Sequence, residues 1–360
     1  KNAVPEPAPV EYVAKPFVPN EKPTYHGDIA HLVDRRCIEC HHEGGPAPFA
    51  LDNFKAVAAR SAMIRRVVED GTMPPWFMAP GVGKWKHDRS LSDGERASVG
   101  KWIANGLAEG NPSDSPKPRT FPKEWVIGTP DRILKPDKPI AIPATGTIPM
   151  VDYEIALNNS EPLWVEATQV IPGDPRVVHH VAVTIKVRDD RGNASNAGYL
   201  ATWSPGAPPR IQPKGSAMRI PANAVLNFNM HYTPFGEAAN DSTRLGLRLA
   251  KGPVHTEQQS LNFSNNWRRL RIPAGAANYR VSATFGLPAD IDLASVLPHA
   301  HYRGKSMRLE RLGADGKSEI LVDVPRYDFN WQLDYEPEPP IRLRKGDVVR
   351  LTCVFDNSAG

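Results

Sequence analysis

Leu163-Trp164-Val165-Glu166-Ala167-Thr168-Gln169-Val170, a Pro172-Gly173-Asp174-Pro175 turn, then His180-Val181-Ala182-Val183-Thr184-Ile185-Lys186-Val187: this stretch sets the texture of the larger part of the chain. Both runs are rich in apolar and β-branched residues, and the turn between them is built from residues that break regular structure. The pattern recurs at Val225–His231 and Arg244–Leu249, and again at Tyr279–Phe285, Met307–Leu312, Ile341–Leu343 and Val348–Phe355. Many short strands between Pro/Gly turns predict β-sandwiches, and roughly 220 residues of this texture are enough for two of about a hundred each. Gly252–Ser264 is the expected junction between them.

Toward the N-terminus the texture becomes helical. A first helix is expected over Asp28–Arg36. A second, over Asn53–Asp70, gathers Phe54, Val57, Ala58, Ser61, Ile64, Val67 and Val68 on one face and stops at Gly71. The third opens on Ser92-x-x-Glu95, a capping-box pattern, and carries Val99, Trp102, Ile103 and Leu107 as its apolar stripe. Residues 1–25 read as an extended Pro-rich arm, 26–110 as a small all-α domain, and 111–135 as a linker. All-β sandwich domains are expected over 136–252 and 253–360.

Composition narrows the function classes. A net charge of +4 over 360 residues, with no dense Lys/Arg cluster, argues against nucleic acid as a partner. No window approaches the ~18 consecutive apolar residues of a membrane span, so no transmembrane segment is expected. Proline is abundant, at 37 residues, which favours strands and rigid turns over long helices. The chain starts at Lys1 without an apolar signal segment and reads as a mature or trimmed form.

The sharpest chemical signal is Cys37-Ile38-Glu39-Cys40-His41. C-x-x-C-H is the attachment pattern of a c-type haem: two thiols become thioethers and the adjacent His becomes an axial iron ligand. A zinc half-site would need further Cys or His ligands at suitable spacing, and only His42 is near; a thioredoxin-like Cys pair needs a βαβ context that is absent. The reading is a covalent haem c held by Cys37, Cys40 and His41. Met73, in Gly71-Thr72-Met73-Pro74-Pro75-Trp76, is the expected second axial ligand, with Met78 the competitor. A thioether ligand raises the potential and suits electron transfer. This segment resembles small class I cytochromes c. Covalent haem points to a periplasmic or secreted bacterial protein, served by an external electron donor.

Of the 11 histidines, five cluster in the β-rich part: His179-His180, His231 and His299-x-His301. A single histidine there is more often a hydrogen-bonded core or surface residue than a ligand. Five of them, in a chain with no spare Cys pair, suit an imidazole site for Cu, Zn, Fe or Ni. His299 and His301, two apart on an expected strand, would emerge on one face. His179 and His180 would point to opposite faces of a regular strand; sharing one metal then needs a bulge, or different ring nitrogens. His231 would have to come from a neighbouring strand.

Val178-His179-His180-Val181, Met230-His231-Tyr232-Thr233-Pro234 and Pro298-His299-Ala300-His301-Tyr302-Arg303-Gly304-Lys305 occur in the order found in one family. Together they resemble the copper type II, ascorbate-dependent monooxygenases, the family of the peptidylglycine α-hydroxylating enzymes, over roughly residues 136–360. The resemblance implies two jelly-roll sandwiches, each with one copper, and a fused cytochrome c module is similar to a bacterial arrangement of that superfamily. The first copper, held by His179, His180 and His231, would store and pass an electron. The second, held by His299, His301 and a Met thioether, would be the catalytic site where O2 and a small-molecule or peptide-like substrate meet, across a solvent-filled cleft. The chain departs from the family in two places. No Met follows Met307, itself read as a core residue, so the thioether is expected beyond Gly360, a His-only second site being the alternative. The family's carboxylate-binding Arg is replaced by Leu297, which argues against peptidyl-glycine, while Arg303 remains a candidate for an anionic group. Cys353 reads as a buried small hydrophobe. A non-enzymatic haem–copper electron carrier is the alternative.

Overall fold

A computed structural model of the chain describes residues 20–122, 124–188, 194–263, 270–313 and 317–358. Most of the Pro-rich arm expected over 1–25 lies outside the described residues. Two compact units result: one of residues 1–37, 51–74 and 90–117, the other of 38–50, 75–89 and 118–360.

The first unit is helical. A π-helical turn at Tyr25–Ile29 leads into α1 (Ala30–Arg36). The expected helix over 53–70 is divided into α2 (Phe54–Ala58) and α3 (Ser61–Glu69). The division falls at Arg60, whose guanidinium donates to the Ala56 carbonyl at 3.2 Å and satisfies a helix-end acceptor. The predicted capping box is present at the start of α4 (Asp93–Ala104): the Ser92 side chain accepts from Glu95 N, and the Glu95 carboxylate accepts from Ser92 N. Tyr25, Ile29, Leu32, Val33, Val57, Val68, Val99 and Trp102 are buried in this unit.

The second unit is β-rich. One sheet has the order β3-β9-β5-β6, with β3 at Val151–Ala156, β5 at Val178–Arg188, β6 at Ala194–Trp203 and β9 at Val225–Tyr232. Facing it is a sheet ordered β1-β11-β4-β8-β12, where β1 is Arg132–Leu134, β4 Leu163–Ile171, β8 Ser216–Ile220, β11 Arg244–Leu249 and β12 Thr256–Gln258; β7 (Arg210–Ile211) also pairs with β4. A ribbon of β2 (Ile140–Ile142) and β10 (Ala239–Asp241) completes this sandwich. Chain-order neighbours β3, β4 and β5 alternate between the two sheets, an arrangement compatible with a jelly roll. Val181, Val183, Ile185, Leu226, Phe228, Met230, Leu245 and Leu247 fill the core between the sheets. The second sandwich has a sheet ordered β13-β18-β15-β16, of Tyr279–Gly286, Val348–Phe355, Gly304–Leu312 and Ser318–Val324, with a ribbon of β14 (Ile291–Leu293) and β17 (Ile341–Leu343).

Three expectations change. The linker over 111–135 ends in a strand, since β1 pairs with β11, and Gly246 lacks the Cβ that would come 2.6 Å from the Trp125 ring. The first sandwich runs on past residue 252 to β12. Residues 38–50 and 75–89, read as part of the helical domain, belong to the β-rich unit, so the small all-α domain expected over 26–110 is not a unit of its own: Phe77, Met78 and Trp85 lie in the second sandwich's core. Phe77 N donates to the Tyr335 hydroxyl at 3.3 Å, and Lys86 N to the Glu336 carbonyl at 2.8 Å. An apolar run flanked by prolines reads alike in a helical domain and at a sandwich edge; the packing partners lie some 250 residues later.

Candidate metal centre

The centre is built on the β5–β9 pair. Val178 pairs with Tyr232 and His180 with His231, so two steps along β5 match one along β9. His179 is the extra residue of a β-bulge. Burial tells the same story: Val178 and Val181 both face the core, three residues apart, which a regular strand of period two forbids. His179 and His180 therefore both leave the outer face of the sheet, where His231 joins them as the direct cross-strand neighbour of His180. The conflict between adjacent histidines and strand alternation is resolved by the bulge.

The three rings converge. His179 and His180 lie 5.3 Å apart between ring centroids, and His231 lies 4.8 Å from each. One nitrogen from each falls within 4.8 Å of the others, the one such group of His, Cys, Asp or Glu among the described residues. His179 Nδ1 and His180 Nδ1 are 3.1 Å apart. Metal–imidazole bonds of about 2.0–2.1 Å place ligand nitrogens roughly 3 Å apart, so this spacing needs little change to close on an ion. His231 Nδ1 is buried and has no hydrogen-bond partner among the described residues, an uncompensated cost unless something binds there. Burial holds the His179 and His231 imidazoles below their usual range. His180 is pushed down to about 3, by burial first and then by His179, His231 and His299. At neutral pH all three are neutral and present lone pairs.

One buried carboxylate fixes both strand ends. Asp241 accepts from Gly173 N at 2.9 Å and Asp174 N at 3.1 Å, in the turn before β5. It also accepts from the Tyr232 hydroxyl at 2.9 Å and the Thr243 hydroxyl at 2.8 Å. Tyr232 follows His231 directly, so Asp241 ties the bulge to its partner strand. Sequence reasoning passed over it, because an Asp in an Asn-Asp-Ser run reads as an ordinary turn residue.

His299 and His301 lie on an extended loop ahead of β15, not on a strand as expected. Tyr327 clamps that loop. Its hydroxyl accepts from Ala300 N at 3.2 Å and donates to the Ala300 carbonyl at 2.6 Å. Holding Ala300 inward leaves the two flanking rings 5.3 Å apart at 85°. Gly304 is required there, since a Cβ would come 2.5 Å from Ala300 Cβ. His299 Nδ1 bonds Gln332 Oε1 at 2.8 Å. Phe329 stands between the two histidine groups, its ring centroid 6.5 Å from His180, 6.2 Å from His231 and 6.4 Å from His301. The exposed ring of Tyr302 lies against it at 4.2 Å. Met307 is 5 % exposed within β15 and packs in the core, as the sequence suggested. Leu297 and Arg303 flank the loop, the Arg303 carbonyl accepting from Asp356 N at 2.8 Å. Cys353 is likewise buried in the second sandwich's core.

Cys37, Cys40 and Cys353 form no disulfide. Cys37 ends α1, its N–H donating to the Val33 carbonyl at 2.9 Å. In the β-rich unit, the Cys40 thiol is pushed up by burial against the opposing pull of Arg89. His41 is oriented by its Nδ1, 3.0 Å from the Phe49 carbonyl oxygen, and packs on the Phe49 ring at 4.8 Å. A bond of that kind fixes the tautomer, with the proton on Nδ1 and the lone pair on Nε2. Met73 in the helical unit is half-buried, its N–H donating to the Val67 carbonyl at 3.0 Å. Met78 is a core residue of the second sandwich.

No family model matches the chain, and no curated protein does. Among solved structures, a Bacteroides ovatus protein assigned as an α-L-fucosidase aligns at TM-score 0.21 and 9% identity over 74% of this chain and 40% of its own. The PBSX exported protein XepA aligns at TM-score 0.20 and 9% identity, over 62% of this chain and 86% of its own. A structure described as the STIV MCP aligns at TM-score 0.18 and 9% identity, over 62% of this chain and 96% of its own.

Proposed function

We propose that the chain is a haem-containing copper monooxygenase that hydroxylates a C–H bond of a small-molecule or peptide-like substrate with O2. The observation that carries this reading is the bulged strand pair that brings His179, His180 and His231 together with depressed basicity and an unpartnered buried nitrogen. Imidazole-only donor sets without thiolate favour copper among available redox metals, and the donors present fit it. The haem reading rests on Cys37-x-x-Cys40-His41 and the orientation of His41 by Phe49, with Met73 the second ligand expected from the sequence. Copper would supply one-electron chemistry toward O2, and the haem would supply electrons received from an external donor. Overall, substrate, O2, two electrons and two protons give the hydroxylated product and water.

The chain's own residues have separable roles. The β5 bulge and Asp241 hold the first histidine set. Tyr327 and Gly304 hold His299 and His301 on one side of their loop, and Gln332 fixes the His299 tautomer, leaving Nε2 to face a metal. Phe329 and Tyr302 line one side of the space beside His301 with aromatic surface, open to solvent, against which an apolar C–H substrate would pack. The proposed setting is periplasmic or secreted. Metal analysis, with reductant-dependent oxygen uptake, tests the reading: copper at both histidine groups, covalent haem and uptake lost in His299→Ala are expected. The burial of Met307 favours a second reading, a haem–copper electron carrier with an incomplete second site; one copper per haem and no oxygen uptake would select it.

A further inference from the structure

We infer that the turn Ser204–Ala207 is the electronic bridge between the haem-attachment cysteine Cys40 and the histidine groups, an inference that rests on the functional reading above. The turn closes through a hydrogen bond from Ala207 N to the Ser204 carbonyl at 2.8 Å. One side of it meets the haem motif. Gly206 has a positive φ of 79°, and a Cβ there would come 2.5 Å from Cys40 Sγ. No residue with a side chain fits that approach. Arg89 locks the contact: its guanidinium donates to the Gly206 carbonyl and lies 3.8 Å from the Glu39 carboxylate, inside the C-x-x-C-H motif.

The other side meets the histidines. Ser204, 3 % exposed, donates through its hydroxyl to the Gln332 carbonyl at 3.5 Å, and the Gln332 side-chain oxygen is 2.8 Å from His299 Nδ1. Trp203, the residue before, is the register partner of Val181, which follows His180. The Cys40 sulfur is thus joined to His299 by a van der Waals contact, the backbone from Gly206 to Ser204, a hydrogen bond to the Gln332 carbonyl, the bonds of Gln332 out to its side-chain amide, and a second hydrogen bond. Electronic coupling falls far more slowly along bonds and hydrogen bonds than across empty space, so this is the favoured route. In the step it serves, one electron leaves ferrous haem, which becomes ferric, and one cupric ion becomes cuprous; no proton or bond change is required.

The test is flash reduction of the haem in the full chain loaded with haem and cupric ion, following haem reoxidation by its absorption bands. Ser204→Ala and Gln332→Leu should each slow reoxidation several-fold. Gly206→Val, which forces the turn off Cys40, should slow it more, all with unchanged haem midpoint potential. Ser204→Ala keeps the test open if Gly206→Val fails to fold. Rates equal to the parent's in loaded Ser204→Ala and Gln332→Leu would overturn the inference and leave the functional reading standing. A parent chain without covalent haem or without bound copper, seen in its absorption and copper content before any flash, would overturn both.

Discussion

At the residue scale, the histidines of the first set depend on groups that touch no ligand. Asp241 is fully buried and gathers hydrogen bonds from both strand ends that carry the set. Asp241→Ala should leave those donors unsatisfied and cost about 3 kcal/mol or more of stability. Asp241→Asn should keep the fold while weakening copper binding about 10–100-fold, read by competition with a calibrated chelator; unchanged affinity would show that the carboxylate serves the fold alone. At the second pair, Tyr327→Phe removes the hydroxyl that holds both backbone groups of Ala300. It should release His299 and His301 from a common geometry without touching the first set. A copper content falling only at that pair checks it. The sequence marked all five histidines, because imidazole is conspicuous in a chain so poor in thiols. It did not mark Asp241, Tyr327 or Gln332, whose roles come from partners far along the chain.

At the element scale, the β5 bulge is the decisive feature. Strands around Val181 and Phe228 are legible from their alternation, and the sequence left open whether His179 and His180 face the same way. A bulge is a property of the pairing between two strands, which one strand's pattern does not contain. Deleting His179 should restore a regular β5, keep the β-sheet signal in far-UV circular dichroism, and abolish copper binding at this set. In α4, the capping box read from Ser92 and Glu95 is present as expected. Burial raises the Glu95 carboxyl, yet the Ser92 N–H and Arg36 outweigh it and hold it below its usual range. The sign follows directly: the native state binds fewer protons, so this stabilisation is present above a pH of about 4.3 and is lost as pH falls through the depressed folded value. Glu95→Gln should weaken α4 by about 1–2 kcal/mol at neutral pH and flatten its acid sensitivity. Amide exchange over 93–104 in the full chain at two pH values measures both.

At the scale of the whole molecule, a helical stretch and a larger β-rich part with sandwich-like sheets were legible from texture alone. Their borders were less so. Trp125 and β1 lie inside the expected linker yet pack on and pair with β11, and Phe77, Met78 and Trp85 lie inside the expected helical domain yet join a β core. Long-range burial decides such borders, and local composition is silent on it. Copper bound at the first set in the native state alone should also stabilise the β-rich unit by about 2.7 kcal/mol at a hundredfold excess over the dissociation constant, read as a higher melting temperature; His180→Ala should remove that site's share of the gain.

The central claim is that the bulged pair of strands holds one copper through three imidazoles. Electron paramagnetic resonance of the cupric-loaded full chain, with His299→Ala and His301→Ala in place to silence the second pair, tests it most directly. The account predicts one copper per chain with nitrogen superhyperfine structure from three imidazole donors, losing a nitrogen when His231→Ala is added. A chain that takes up no copper in this background, or whose signal is indifferent to His231, would contradict it.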